Sequence, residues 1–319
     1  MKEPPRNFRA ALVSAALRHV LGGKCDARGR LYLNIGHTGL DSDGFVPWVR
    51  KSGVRPIYFV HDLIPITHPH FCRAGEGERH RRRMRTVLST AAGVIGNSQA
   101  TLDDLANFAA GEGLPPPPMI AAWLGTTARL SADDQPKSAR STLVALGTIE
   151  ARKNHQLLLN IWSRLVAKLG LEAPQLLIIG QRGWEADEVF RILDENKNLV
   201  GHVIELNRCS DQELAHHLES ARALLFPSHA EGYGLPLIEA LAMRVPVIAS
   251  DLPAFREIGQ GLPLLLDPDD EQSWEAAILD FAQPKSVARD EQLRRLDGFR
   301  PPTWYDHFER VEQWLESIG

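Results

Sequence analysis

The chain contains 319 residues, of which 44% are hydrophobic and 24% charged. This balance is typical of a soluble globular protein, and the length accommodates one large domain or two of ordinary size. The formal net charge of −4 gives no reason to expect nucleic-acid binding. No apolar run is long enough to cross a bilayer, so the composition argues against a membrane-spanning protein.

The cysteines and the first residues indicate the compartment. Cys25, Cys72 and Cys209 have no metal-type spacing, and their odd number leaves one without a partner. Free thiols in a reducing cytoplasm are the simplest interpretation. Residues 1–5 lack the apolar core of a signal peptide. We therefore expect a cytoplasmic protein.

The first half of the chain alternates apolar and amphipathic segments, beginning with a candidate helix at 8–20. The candidate strands are 30–35, 56–61, 93–97 and 118–123. The candidate helices between them are 44–51, 77–91 and 99–110. Such alternation predicts parallel strands joined by crossover helices. The polar segment 126–137 has no periodicity and is predicted to be an interdomain linker.

The second half shows the same alternation over more elements. Its candidate strands are 142–147, 175–180, 202–206, 222–227, 245–249 and 263–266. Its candidate helices are 155–168, 185–196, 210–220, 236–243, 253–259 and 271–283. The pattern predicts a doubly wound parallel sheet, in which ligands bind outside the carboxyl ends of the strands.

The last segment breaks this pattern at 300–302, where two prolines follow an arginine. Residues 303–318 then form a candidate amphipathic helix, with large apolar side chains at helical spacing. These side chains are Trp304, Phe308, Val311 and Trp314. The pattern leaves open whether the helix packs on its own domain or on the first one.

The most informative segment is 226–240, where an apolar run ends in a glycine-rich turn and a helix begins at Pro236. Proline suits the first helical position, because its missing N–H has no partner to lose there. Glu231 precedes the turn, and Glu239 lies within the helix. Backbone N–H groups at a helix N-terminus favour anions. The segment therefore predicts a site in which backbone binds phosphate and carboxylates bind hydroxyl groups, as a nucleotide sugar requires.

A second loop, 147–155, also follows a strand and can face the same crevice. It contains Arg152 and Lys153, a pair of cations suited to the charge of a departing diphosphate. Neither this loop nor the segment 226–240 contains an Asp-x-Asp motif that could hold a metal. The aspartate pairs at 133–134 and 269–270 are more typical of solvated loops. We therefore expect no metal in this site.

The two glutamates, seven residues apart across a Gly-x-Gly-Leu-Pro turn, resemble the signature of the retaining GT-B glycosyltransferases. This group includes bacterial mannosyl- and glucosyltransferases. The motifs at 147–155, 246–251 and 257–268 extend the resemblance. In the first half, 33–40 and 61–68 resemble a bacterial polysaccharide mannosyltransferase branch. The resemblance implies an α/β protein with the GT-B fold, in which two Rossmann-like domains face a cleft.

The resemblance also implies a division of the chain. Residues 1–128 would form the acceptor-side domain, 129–300 the nucleotide-sugar domain, and 301–319 a helix that crosses back to the first domain. Members of the family begin with a strand and a glycine-rich loop, and no such segment precedes residue 30. The first domain is therefore predicted to be shortened, which would affect binding of the acceptor.

By resemblance, Glu239 binds the nucleotide ribose, and Glu231 contacts hydroxyl groups of the transferred sugar near the bond that breaks. Arg152 and Lys153 stabilise the leaving diphosphate, and His61 reaches the donor sugar and the acceptor. Further donor contacts are expected from the backbone of Gly147, Gly232, Tyr233, Gly234 and Leu235. Weaker acceptor-side candidates at strand ends are His37, Asn97 and Ser98.

The leading interpretation is a retaining, metal-independent hexosyltransferase without a cofactor. It would move a hexose, with GDP-mannose the favoured donor, to a glycan or polyprenyl-linked glycan during polysaccharide biosynthesis. The alternative is a non-catalytic nucleotide-sugar-binding module, which the shortened first domain favours. A Rossmann dehydrogenase is disfavoured, because no Gly-x-Gly-x-x-Gly opens a strand–helix unit with an acid about 20 residues later.

A dense basic run, Arg79–Arg85, lies on a candidate helix. Basic residues near a membrane surface are attracted to anionic lipids, so the run predicts peripheral contact with the inner face of the plasma membrane. The competing interpretation is a solvated helix face that Glu76 and Glu78 partly neutralise.

Overall fold

The computed structural model describes residues 27–127 and 141–318. Three sequence predictions lie outside the described residues: the helix at 8–20, the aspartate pair at 133–134 and most of the linker at 126–137. Cys25 lies outside them as well. The described residues form two parallel sheets with helices packed against them, which confirms the predicted α/β class and the GT-B fold.

The first domain is built on a four-stranded sheet in the order β1-β2-β3-β4. The strands are β1 (Leu31–Asn34), β2 (Arg55–Val60), β3 (Gly93–Gly96) and β4 (Met119–Ala121). The helices are α1 (Phe45–Ser52), α2 (Ile64–Thr67), α3 (Glu76–Thr90) and α4 (Gln99–Gly111). In β2, Tyr58 and Val60 face α1, α3 and α4, whereas Ile57 and Phe59 face the opposite side. Burial on both faces explains why β2 is an almost continuous apolar run.

The second domain is built on a six-stranded sheet in the order β10-β9-β8-β5-β6-β7. The strands are β5 (Thr142–Leu146), β6 (Gln175–Ile179), β7 (Val203–Leu206), β8 (Leu224–Phe226), β9 (Val247–Ser250) and β10 (Leu264–Leu266). The helices are α5 (His155–Leu169), α6 (Asp187–Glu195), α7 (Asp211–Ser220), α8 (Leu235–Ala242), α9 (Pro253–Ile258), α10 (Glu271–Ala282) and α11 (Val287–Leu296). The chain winds outward from β5 in one direction and from β8 in the other. The boundary between β5 and β8 is therefore the topological switch point, where ligands bind in doubly wound sheets.

Three details differ from the sequence predictions. The short helix α2 was not predicted, because its four residues are too few to show helical periodicity. Helix α8 begins at Leu235, so Pro236 takes the second helical position rather than the first. Helix α11 was not predicted, because its sequence is polar and only Gln292 and Leu296 are buried. Gln292 fastens this helix to β9 by donating to the carbonyl of Val247 and accepting from its amide. A helix that is held by polar contacts with a distant strand needs no apolar stripe, so its sequence shows no apolar periodicity.

The last helix, α12 (Trp304–Ser317), crosses from the second domain to the first. A capping box between Thr303 and Asp306 begins it, satisfying backbone donors at the helix start. Val311 packs with Ile57 and Phe59 on the face of the first sheet that α1, α3 and α4 leave open. The last helix therefore packs on the first domain, which the apolar spacing of its sequence did not decide.

Candidate active site

The loops after β5 and β8 meet at the switch point of the second sheet. The loop after β5 forms a 3₁₀ turn, Ala151–Lys153, and the amide of His229 in the other loop donates to the carbonyl of Arg152 at 2.8 Å. At the base of the first loop, Gly147 has φ 135°, a conformation that other residues rarely adopt. The sheet order therefore brings together the two loops that the sequence singled out.

Glu231 is the centre of a buried ion-pair cluster. Its Oε2 lies 2.9 Å from Nη1 of Arg152, and its Oε1 binds Nζ of Lys153. Ser228 donates to the same Oε1 at 2.9 Å. The Glu231 side chain is only 9% exposed. The structure thus places three predicted site residues in direct contact, with Glu231 holding both cations.

A second carboxylate, Glu150, completes the cluster on the other side of Arg152. Its Oε1 lies 2.7 Å from Nε of Arg152, and its Oε2 is buried without a hydrogen-bond partner among the described residues. Glu150 lies within the motif at 147–155, but no local pattern there assigned it a role. Each guanidinium edge of Arg152 is therefore held by a different acid, which fixes its orientation before any ligand arrives.

The surroundings of Glu231 and Glu150 shift the pKa values of the two carboxyl groups in opposite directions. Burial raises the pKa of Glu231, but Lys153 and Arg152 outweigh burial and hold that pKa below its ordinary value. Burial also raises the pKa of Glu150, and there Arg152 and Lys153 oppose the rise only in part. Glu231 is consequently the carboxylate that stays charged, with its charge absorbed by the two cations.

His155 opens helix α5 immediately behind the cations. Its ring is 4% exposed, and Nδ1 has no hydrogen-bond partner among the described residues. Burial, with the nearby charge of Lys153, lowers the pKa of His155 to about 4. A neutral imidazole here avoids placing a third positive charge beside Lys153 and Arg152.

Lowering the pH from 7 to 5 is expected to reduce the free energy of unfolding by about 2 kcal/mol through His155. Its folded pKa of about 4 lies below the unfolded value of 6.5. Its contribution is therefore complete above pH 6.5 and is lost as the pH falls toward 4. Urea unfolding at both pH values measures it, and His155→Gln should show a smaller drop than the unchanged chain. An equal decrease in the free energy of unfolding in both proteins would show that His155 does not cause this pH dependence.

The glycine-rich turn between β8 and α8 is clamped from two sides. A Cβ on Gly232 would lie 2.3 Å from the carbonyl oxygen of His61, and one on Gly234 would lie 2.6 Å from the ring of Phe255. Only glycine allows both approaches. Tyr233 is buried and donates its hydroxyl to the carbonyl of Leu124 at 2.8 Å, so its side chain anchors the turn.

The amides of this turn remain free. Within 27–127 and 141–318, no hydrogen-bond acceptor faces the backbone N–H groups of Gly232, Tyr233, Gly234 and Leu235. These groups precede α8 or belong to its first turn, where partners within the helix are lacking. They form a set of backbone donors beside the buried cations.

The first domain contributes His61 to the opposite wall. His61 is exposed, and its Nε2 lies 2.7 Å from the carbonyl oxygen of Ile35. Asn97 donates to the carbonyl of His61 at 2.9 Å, and the ring of His37 lies 5.6 Å from that of His61. The predicted acceptor-side residues therefore gather at the carboxyl edge of the first sheet, next to the glycine-rich turn.

Glu239 lies apart from the ion-pair cluster. It faces a cavity of about 270 Å³, and burial together with the charge of Asp211 raises its pKa. The cavity is also lined by Thr127, Leu214, Ala215, Leu218 and Met243. The carboxylate of Glu239 has no hydrogen-bond partner among the described residues. The carboxylate is therefore available to a ligand that enters between α7 and α8.

Metal-binding clusters and membrane-spanning helices were sought among the described residues. No group of three or more His, Cys, Asp or Glu side chains there is arranged to hold a metal ion. In the same ranges, none of the helices combines the length and the apolar character needed to traverse a bilayer.

Comparison with known proteins relates part of this chain to a family. Residues 140–283 match the family model described as glycosyl transferases group 1. The serotype-specific mannosyltransferase WbdA of Escherichia coli is 28% identical over an alignment of 228 residues, and the match covers 66% of this chain and 28% of WbdA. The O-antigen chain mannosyltransferase B of Escherichia coli is 33% identical over 159 residues, covering 50% of this chain and 41% of that protein. The chain thus spans less than half the length of these curated relatives.

A solved structure extends the comparison to the whole fold. The α,α-trehalose-phosphate synthase (UDP-forming) of Burkholderia xenovorans superimposes with a TM-score of 0.71 at 12% identity. The superposition covers 100% of this chain and 79% of the synthase. At this identity the likeness shows a shared fold and nothing about the substrate.

Proposed function

We propose that this chain, a GT-B glycosyltransferase whose residues 140–283 match the glycosyl transferases group 1 family, transfers mannose from GDP-mannose to a glycan. One observation carries the proposal: Arg152 and Lys153 are held by Glu231 at the switch point, beside the free amides of the glycine-rich turn. This arrangement matches the developing negative charge of a leaving nucleoside diphosphate.

The state of Glu231 supports a retaining reaction without a covalent intermediate. Lys153, Arg152 and Ser228 occupy its oxygens, and its lowered pKa makes it a poor nucleophile and a poor base. We infer that the leaving phosphate itself accepts the proton of the incoming hydroxyl on the same face of the sugar. Glu231 then orients the cations and contacts hydroxyl groups of the donor sugar.

The preference for mannose rests on the relatives, two of which are named as a serotype-specific mannosyltransferase and an O-antigen chain mannosyltransferase. We propose a growing glycan as the acceptor, in line with the O-antigen chain named for one relative, and a polyprenyl carrier for that glycan. GDP should raise the melting temperature of the purified chain more than UDP, ADP or dTDP at equal concentration. Transfer from GDP-mannose should give a product with the α configuration of the donor. A preference for another nucleotide, or a β-linked product, would contradict the proposal.

Glu239→Ala is expected to weaken binding of GDP about 10-fold, because the ribose would lose a carboxylate that accepts two hydrogen bonds. Calorimetric titration measures the change. Glu195→Ala, on the exposed end of α6, removes a carboxylate elsewhere in the same domain and serves as the matched control. Equal affinities in both variants would exclude Glu239 from the ribose role.

EDTA is expected to leave the transfer rate within about twofold of the untreated enzyme, since Arg152 and Lys153 supply the positive charge that a metal ion would otherwise provide. Initial rates before and after dialysis against EDTA test this. Complete loss of transfer, restored by magnesium, would overturn the metal-free scheme.

Helix α3 carries the proposed contact with the membrane on the cytoplasmic side. Three arginines of its basic run already have carboxylate partners in the first domain. The pairs are Arg79 with Asp41, Arg83 with Asp41, and Arg85 with Glu112. Arg81 and Arg82 form no ion pair at contact distance among the described residues, although the charge of Arg81 acts on Glu112. At about 1 kcal/mol per basic residue, these two support a weak, reversible attraction to anionic lipids rather than a firm anchor.

A nucleotide-sugar-binding module without activity is the second candidate. It rests on the shortened first domain predicted from the sequence; the described part of that domain has four strands, against six in the second. Binding of GDP-mannose without either hydrolysis or transfer to a glycan would support this candidate.

A further inference from the structure

Glu257, on helix α9 of the second domain, binds three hydrogen-bond donors of the first domain. Its Oε1 accepts from the indole Nε1 of Trp123 at 2.6 Å and from the amide of Gln99 at 2.8 Å. Its Oε2 accepts from the amide of Ala100 at 3.2 Å. Both oxygens of one carboxylate are therefore engaged across the domain boundary.

Two of these donors belong to the N-terminus of helix α4. The first N–H groups of a helix have no partner within it, and they carry its partial positive charge. Ser98, the N-cap residue, accepts from the amide of Thr101, which leaves the amides of Gln99 and Ala100. Glu257 takes both, so residues of two domains share the capping of one helix.

The same helix terminus also holds the glycine-rich turn. Ser98 donates its hydroxyl to the carbonyl of Gly232 at 2.7 Å, and Thr101 donates to the same oxygen at 3.2 Å. Behind the turn, Gly234 packs against the ring of Phe255, two residues before Glu257 on α9. Helix α9, the turn and the start of α4 therefore form one continuous contact.

We infer that Glu257 is a positioning residue for sugar transfer. By capping α4 it sets the relative placement of the two domains, and thereby holds the Gly232–Gly234 turn and the neighbouring Glu231 against the first domain. This inference rests on the proposed transferase function. The cations that bind the diphosphate, Arg152 and Lys153, belong wholly to the second domain. Loss of Glu257 should therefore affect the rate of transfer far more than the affinity for the nucleotide.

The test compares three variants of the full chain. Glu257→Ala removes the carboxylate, and Trp123→Phe removes one of its donors while keeping an aromatic ring. Glu271→Gln is the matched control, since Glu271 pairs with Arg164 inside the second domain. Hydrogen exchange at the amides of Gln99 and Ala100, the Kd for GDP, and kcat with GDP-mannose are measured for each.

We expect faster exchange at these amides in Glu257→Ala, a Kd for GDP within about threefold of the unchanged chain, and a kcat lower by about 100-fold. Trp123→Phe should lower kcat by a smaller factor, and Glu271→Gln should change none of the three quantities. Unchanged exchange at Gln99 and Ala100 would show that Glu257 does not cap α4 in solution. Unchanged kcat with faster exchange would refute the positioning role.

Failure of the proposed function would give a different experimental result from failure of the positioning role. If the unchanged chain binds no nucleotide and transfers no sugar, the transferase proposal fails, and the positioning role fails with it. The exchange measurement would still report whether the carboxylate links the two domains. Equal losses of GDP affinity and kcat in Glu257→Ala would instead indicate a general structural role and overturn the inference.

Discussion

Replacing Glu231 with glutamine is expected to reduce sugar transfer by at least about 100-fold and the free energy of unfolding by about 3 kcal/mol. The carboxylate is 9% exposed and is the common partner of Arg152 and Lys153. Glutamine keeps its shape and leaves both cations in place without this buried counter-charge. Breaking a buried ion pair from one side is costly, because the remaining charge is desolvated and unpaired.

The same variant is expected to bind GDP at least as tightly as the unchanged chain. In the unliganded cluster, Glu231 competes with any incoming anion for Arg152 and Lys153, and glutamine removes that competition. Urea unfolding, calorimetric titration with GDP and transfer assays measure the three effects. Glu188→Gln is the matched control, because its pair with Arg191 lies on the surface of α6 and should contribute little. Unaltered stability of Glu231→Gln would mean that the ion-pair cluster does not form in solution.

Lys153→Met is expected to lower kcat by about 100- to 1000-fold and to weaken GDP binding by a smaller factor. The ammonium group lies 4.8 Å from the centroid of the Phe226 ring, so methionine retains much of the apolar packing while the charge is lost. Negative charge on the diphosphate increases as the glycosidic bond breaks. A fixed cation therefore stabilises the transition state more than the bound donor.

Steady-state kinetics and calorimetry separate these two effects. Lys168→Met provides the control, since Lys168 is an exposed lysine that pairs with Glu275 at the far end of α5. If Lys153→Met changed kcat and the Kd for GDP by the same factor, the lysine would contribute uniform binding and no stabilisation specific to bond breaking.

The sequence predictions agree with the structure wherever a strand or helix has an apolar pattern of its own. Both sheets, their parallel strands and the helices between them follow the alternation in the sequence. Helix α11 was missed, because Gln292 holds it by hydrogen bonds to β9 rather than by an apolar stripe. The start of α8 was placed one residue late, since proline is compatible with either of the first two helical positions.

The candidate site could likewise be predicted from the sequence only in part. The two loops could be identified from their glycines, acids and bases, and their strand-end positions predicted a common edge. The pairing of Glu231 with Arg152 and Lys153 depends on β8 lying directly beside β5. That order brings together loops about 80 residues apart in the chain, and no local pattern specifies which strands become neighbours.

The sequence by itself determined the α/β class, the switch-point loops and the kinds of side chain they carry, because periodicity and turn chemistry act over a few residues. Only the tertiary structure decided that Glu150 shares Arg152, that α12 crosses to the first sheet and that Glu257 caps α4. Each of these contacts joins segments brought together by burial of distant apolar faces. Their partners are therefore set by the packing of the whole chain rather than by any stretch of it.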